Sequence, residues 1–284
     1  MTAGTGTLPM AAAPRPSSIA SIAGVARELW AYRDLLLNLV KRDLDVRYKR
    51  SALGFLWSFL NPLLMMLVFA VVFMVVKPQE VGKYPLFVLA GILSWNFTAG
   101  SLSAASRSIT GSANLIDKIY FPREMLPLAV VVANLVNFLF SLVVFIPLAF
   151  LFGERFGWWA LALPVVIGVQ FLLVCGLSLI VAALNVFYRD TEAVLDVALT
   201  AWFFLTPVFW QLELLPNRIL GVDVWRLEYT LNPMATLVTD YRYVLLYNYP
   251  VIRHTLIALG LAVVFLAAGW TLFRHWSPRF AEEV

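Results

Sequence analysis

Four cations crowd residues 42–50: Arg42, Arg47, Lys49 and Arg50. Arginine grips phosphate oxygens through paired N–H groups, and several cations together share a phosphate group's charge. The same cluster, set beside a long apolar run, also anchors a helix end to anionic headgroups. The two readings are compatible, and both stay open. Other chemistry is missing. The one Gly-Lys pair, Gly82-Lys83, runs on into Tyr84, so no phosphate-cradling GxxxxGK[ST] loop is present. His254 and His275 stand alone in sequence, which predicts no metal centre. Ser94 follows Gly91-Ile92-Leu93, which is not a nucleophile elbow. Asp43 and Asp45 form the one close acidic pair, but two residues apart they fall on different helix faces. That is a poor basis for a membrane transferase, which needs acids that hold a metal or act as base. The single cysteine, Cys175, lies in an apolar run and reads as a buried structural thiol.

The elements that must position these residues are built for lipid. Hydrophobic residues make up 61% of the 284 and charged residues 13%, against about 45–50% and about 25% in soluble domains. Such a chain cannot cover its apolar side chains with polar surface, and it reads as all-α and polytopic in a membrane. The net charge of +4 is therefore read through loop placement, with no nucleic-acid partner predicted.

Residues 1–24, rich in Ala, Gly, Ser, Thr and Pro, read as a disordered cytoplasmic tail without a secretory signal. Residues 25–50 repeat apolar positions every three or four residues with charges between, which predicts an amphipathic helix at the membrane interface. Residues 51–275 hold six apolar runs: Leu53–Val76, Pro85–Ala105, Met125–Phe152, Trp158–Phe187, Leu195–Leu212 and His254–Phe273. Pro207 breaks the fifth. Between the fifth and sixth, two shorter pieces at 213–229 and 234–247 are too polar to span and read as interfacial or re-entrant helices. Residues 276–284 form a short tail. Lys and Arg favour one side of this arrangement two to one, which places both termini in the cytoplasm. The spans carry almost no charge, unlike those of proton-driven carriers.

Three stretches then carry a resemblance. They are RDLDVRYKRSALGFLWSFLNP at 42–62, IYFPREMLP at 119–127 and LNPMATLVTDYRYVLL at 231–246. Together they closely resemble the ABC-2 type permeases that export bacterial O-antigen, capsular polysaccharide, teichoic acid and other lipid-linked glycans. The resemblance covers roughly residues 25–275. It implies a homodimer in the bacterial inner membrane, joined by two copies of a separate ABC ATPase chain. That partner would bind ATP and magnesium, leaving this chain without a cofactor. The substrate would be a polysaccharide on polyprenyl diphosphate, passing between the two protomers. A permease for a drug or another lipid is the alternative within transport, and a membrane enzyme of glycan or lipid assembly is the alternative outside it.

The resemblance also assigns roles. Arg42, Arg47, Lys49 and Arg50 would dock the lipid diphosphate. Asp117, Lys118, Ile119, Tyr120, Arg123 and Glu124 would form the coupling segment that meets the ATPase. Trp57, Phe59, Asn61, Phe69, Phe73, Trp202, Phe209 and Trp210 would line the channel, where aromatic faces stack on sugar C–H faces and let a polymer slide. Ordinary packing and interfacial belts also explain such rings. Asn232, Pro233, Tyr241 and Arg242 would belong to an outer gate, although Arg242 alone could equally snorkel to headgroups.

Overall fold

The computed structural model describes residues 30–48, 56–57, 60, 63–65, 67–68, 71, 84–116, 121–211, 218–219 and 222–283. The chain divides into two units, residues 1–34 and Leu35–Val284. In the first, the Arg33 guanidinium sits over the Trp30 ring. From Leu35 onward the elements belong to the second.

Helix α1 (Arg33–Tyr48) carries the predicted amphipathic pattern. Leu39 and Val40 are buried, while Lys41, Arg42 and Asp45 are exposed. Three long apolar helices follow the first span region: α2 (Tyr84–Ser106), α4 (Met125–Leu151) and α5 (Leu163–Phe187). A short helix α3 (Ala113–Ile116) lies in the connection after α2. A 3₁₀ turn, Trp158–Ala162, leads into α5. After a three-residue break comes α6 (Thr191–Leu205), then a β1–β2 hairpin pairing Arg218–Ile219 with Val222–Asp223. Next are α7 (Val224–Leu231) and α8 (Pro233–Arg242), the latter continued by a π turn, Tyr243–Tyr247. Helix α9 (Ile252–Trp276) ends in a 3₁₀ turn and the short α10 (Phe280–Glu283). The protein is an all-α integral membrane protein.

Among the described residues, four helices are long and apolar enough to cross a membrane: Tyr84–Ser106, Met125–Leu151, Trp158–Phe187 and His254–Arg279. They match the expected second, third, fourth and sixth runs. Much of the expected first span lies outside the described residues. The fifth run differs from expectation. Its helix begins at Thr191, inside the expected loop, and stops at Leu205, before Pro207. Fifteen residues rise about 22 Å, short of the roughly 30 Å hydrocarbon layer. Of the expected piece at 213–229, the described residues are strand at Arg218–Ile219 and Val222–Asp223 and helical from Val224.

The core lies where α2 is wedged among α4, α5 and α8, and α2 is buried along most of its length. Two of the long helices meet backbone to backbone. A Cβ on Gly176 of α5 would lie 2.4 Å from the Leu266 nitrogen of α9, and one on Gly269 would lie 2.2 Å from the Gly176 carbonyl oxygen. Lipid tails are as apolar as side chains, so helix association rests on such close packing and on polar contacts.

Candidate functional site

The two ends of the bundle carry different polar constructions. At the Tyr84 end, α8 is buried from Pro233 to Arg242, and three consecutive side chains near its end reach three directions. Thr255 of α9 donates to Asp240 Oδ2 at 2.7 Å. The Tyr241 hydroxyl donates to Gln170 Oε1 of α5 at 2.7 Å. Arg242 donates through Nε to the Phe87 carbonyl at 3.1 Å, through Nη1 to Pro207 at 2.6 Å and through Nη2 to Val208 at 2.6 Å. Its guanidinium also lies 3.4 Å from the Phe87 ring centroid. The spacing of 240, 241 and 242 turns each side chain about 100° from the last, so one helix end faces three neighbours.

Pro207 explains why Arg242 is there. Proline has no N–H to continue α6, and the backbone beyond it leaves the helix with its carbonyls unpaired. In an apolar layer each such group costs several kcal/mol unless a partner is supplied. Arg242 takes the carbonyls of residues 207 and 208, and the Tyr84 hydroxyl takes that of Phe209 at 2.6 Å. Arg242 is 3% exposed, so it does not snorkel to headgroups. Gly91 makes room for the arrangement, since a Cβ there would stand 2.7 Å from the Val208 oxygen and 2.8 Å from Arg242 Nη2.

The beginning of α8 is bonded to the same segment. Asn232 is its N-cap, accepting at Oδ1 from the Met234 and Ala235 backbone N–H groups. The same oxygen accepts from Trp202 Nε1 at 2.8 Å, and Asn232 Nδ2 donates to Glu228 and to Thr206 Oγ1. Pro233 suits the first helical position, where its missing N–H removes nothing. Deeper in the bundle, Gln170 Nε2 donates to the Ser94 carbonyl and to Thr98 Oγ1, and Thr98 donates to Met234 Sδ.

At the Ser106 end, ion pairs replace the buried network. Arg107, just past α2, pairs with Glu192 in the first turn of α6 at 2.8 Å. Asn185 Nδ2, in the last turn of α5, donates to the Ser106 carbonyl and to Glu192 Oε1. Glu124, just before α4, pairs with Arg274 of α9 at 2.9 Å, and Arg123 donates to the Ser277 carbonyl. Phe187, Trp276, Phe273 and Phe280 close this end with edge and tilted ring contacts.

The candidate residues from the sequence distribute as follows. Arg42 is exposed and pairs with neighbouring Asp43 at 3.0 Å. The side chain of Arg47 and residues Lys49 and Arg50 lie outside what is described. So do Asp117, Lys118, Ile119 and Tyr120, whereas Arg123 and Glu124 are engaged with α9 and its extension. Trp57 is exposed, and Phe59, Asn61, Phe69 and Phe73 lie outside the described residues. Trp202, Phe209 and Trp210 are half-buried at the end of α6. There Trp202 meets the edge of Trp95, while Phe203 and Phe204 both contact Phe209. Asn232, Pro233, Tyr241 and Arg242 come together on α8 as one buried unit. Sequence reasoning passed over Gln170, Tyr84, Arg107, Glu192 and Arg274. Gln170 had a signal, as the one amide in the middle of the apolar run 163–184, where buried polar residues tend to be functional or structural pins.

A bundle of long apolar helices with a buried, non-spanning helix at one end defines a polytopic integral membrane protein. Residues 34–246 match the ABC-2 type transporter membrane family, and the chain belongs to that family. It is 37% identical over 261 residues to the O-antigen export system permease protein RfbA of Myxococcus xanthus, covering 92% of this chain and 99% of that protein. An O-antigen export system permease protein RfbA from Klebsiella pneumoniae is 29% identical over 250 residues, 88% of this chain and 94% of its own. The capsule polysaccharide export inner-membrane protein CtrC of Neisseria meningitidis is 27% identical over 250 residues, 80% and 88% of the two chains.

Proposed function

We propose that this chain is the channel-forming permease subunit of an ATP-driven exporter that moves a lipid-linked polysaccharide out across the bacterial inner membrane. The observation that carries this is the near full-length similarity to O-antigen export permeases, at 37% identity to one of them. The chain is a transport subunit, and ATP hydrolysis belongs to a separate ABC ATPase chain that binds ATP and magnesium. Two copies of each chain form the working unit. Val194, Val197, Phe204 and Leu205 leave an apolar flank of α6 exposed on the single chain, which supports a second copy at that face.

Both termini lie in the cytoplasm, so the Ser106 end faces inward and the Tyr84 end outward. Residues 1–24 and 276–284 are cytoplasmic tails, 25–50 the interface helix and 51–275 the transmembrane domain. Arg42, Arg47, Lys49 and Arg50 receive the carrier's diphosphate at the inner surface. Residues 117–124 meet the ATPase. Aromatic rings of the first span and of α6, with Trp202, Phe209 and Trp210 among them, form a smooth track for the sugar chain. The α7–α8 hairpin forms the outer closure, with Asn232, Pro233, Tyr241 and Arg242 holding it in place.

The test is to delete the chain's gene and follow surface polysaccharide by immunoblot, then to purify the protein from native membranes in mild detergent. Loss of surface glycan with intracellular accumulation, together with a stoichiometric partner showing vanadate-sensitive ATPase activity, is the expected result. A lone chain without ATPase activity, or unchanged surface glycan, would sink the proposal.

A further inference from the structure

Helix α6 is held in an unusual way. Of its 15 residues Leu199 is the buried one, and Val194, Val197, Phe204 and Leu205 are exposed. Along its length it touches α2 mainly through aromatic edges, with Trp95 against Trp202 and Phe203. Its polar attachments sit at the two ends. In the first turn, Glu192 bonds Arg107 at 2.8 Å and Asn185 at 3.3 Å. Arg107 opens the connection that leads through Ala113–Ile116 toward residues 117–124. In the last turn and just beyond, Trp202 and Thr206 bond Asn232, while the Pro207 and Val208 carbonyls are held by Arg242. Asn232 and Arg242 stand at opposite ends of α8, so α8 clasps the end of α6 at two separated points.

We infer that α6 is a connecting rod between the segment that begins at Arg107 and the α7–α8 hairpin, with Glu192 and Asn232 as the positioning residues that pin its two ends. The inference rests on the transport reading above. A helix fixed by side-chain bonds at both ends and lightly packed within its own chain between them shifts as a body, sliding along the second copy on its outer flank, because its internal hydrogen bonds are stiffer than its lateral contacts. A displacement of Arg107 is passed to Glu192, then along α6 to Trp202 and Thr206, and from there to Asn232. The Arg242 bonds keep the non-helical segment 206–208 attached to α8, so α6 cannot slide past the hairpin it must move. Glu192 and Arg107 are partly exposed, so the pair adds little stability. Its part is directional, fixing where the rod begins.

The experiment uses inverted membrane vesicles containing the full chain and its cognate ATPase, reading glycan carried into the lumen per ATP hydrolysed. Glu192→Arg and Arg107→Glu are each expected to lower that ratio about five-fold, the low end of ordinary coupling between sites, with ATPase rate and complex assembly near wild type. The double swap, Glu192→Arg with Arg107→Glu, is expected to restore it. Asn232→Asp keeps the cap and the Trp202 bond but loses donation to Thr206 and Glu228, and is expected to lower the ratio likewise. If a reversed charge blocks assembly, Glu192→Gln gives the same reading. Single variants with an unchanged ratio, or a loss that the double swap does not reverse, would overturn the inference. Wild-type vesicles that hydrolyse ATP without moving glycan would instead overturn the transport reading, and the rod with it.

Discussion

Replacing Arg242 by methionine tests the physical reasoning about the broken backbone after α6 most directly. Methionine keeps the apolar stem and removes the guanidinium. Three hydrogen bonds go with it, to the carbonyls of Phe87, Pro207 and Val208 at 3.1, 2.6 and 2.6 Å. Bonds from a charged donor contribute about 1.5–3 kcal/mol each, so the gross loss is roughly 5–9 kcal/mol. Against this stands the desolvation of the guanidinium, several kcal/mol, which the variant no longer bears. The net loss is then about 3–5 kcal/mol, the lower part of what three buried carbonyls left without a donor cost at about 1–3 kcal/mol each. If interhelical bonds in lipid were worth only their average of about 0.6 kcal/mol, three of them would sum to about 2 kcal/mol. The assay is denaturation of the purified complex by SDS in mixed micelles, followed by tryptophan fluorescence. Arg242→Lys is the companion, since one ammonium cannot span three carbonyls and falls between wild type and Arg242→Met. An Arg242→Met protein within about 1 kcal/mol of wild type would refute the argument that this side chain satisfies the freed carbonyls.

Three further predictions use the same denaturation assay. In a double-mutant cycle, Tyr241→Phe and Gln170→Leu should show a coupling of about 1 kcal/mol, because each removes one end of a 2.7 Å bond; strict additivity would refute the bond. Gly176→Ala should cost about 1–3 kcal/mol through overpacking, because the new methyl meets α9 backbone rather than a flexible side chain; unchanged stability would mean the helices do not approach so closely. Glu124→Gln should cost about 1–2 kcal/mol by weakening its bond to Arg274, which is 28% exposed, and Glu124→Arg combined with Arg274→Glu should recover most of a larger single-variant loss.

The span pattern was legible because an apolar helix in lipid is specified by composition alone. Pro85–Ala105 became Tyr84–Ser106, and His254–Phe273 became Ile252–Trp276. The exception is instructive. Leu195–Leu212 is mostly apolar, but hydropathy does not register that Pro207 ends the helix, nor that Arg242, 35 positions from Pro207, and Tyr84, 125 from Phe209, supply the missing partners. Such pairings belong to tertiary structure, and their only mark in the sequence is a cation in a stretch otherwise too polar to span. Asn232, Pro233, Tyr241 and Arg242 were legible as a group through their motif, but their bonds were not. Asn232 before Pro233 had a local signal, the N-cap followed by proline at the first helical position. The choice between snorkelling and burial for Arg242 needed coordinates.

Placement of the polar contacts bears on how such a bundle could be sealed and yet move. Asp240, Tyr241 and Arg242 reach three different parts of the bundle, and Asn232 adds a fourth attachment. An element bonded to α9, α5, α2 and the end of α6 cannot swing open on its own without breaking buried hydrogen bonds, each costly in an apolar layer. Movement at the Tyr84 end therefore has to be displacement of bonded groups as units. Of the partners of α8, α6 is the least buried against the rest of the chain, whereas α2 is enclosed and α5 is locked to α9 through Gly176. The easiest relative motion leaves α6 and the α7–α8 hairpin together and shears them against the α2–α5–α9 core. In that motion Arg242 stays on Pro207 and Val208, and the bonds most exposed to strain are those from α8 to Phe87, Gln170 and Thr255.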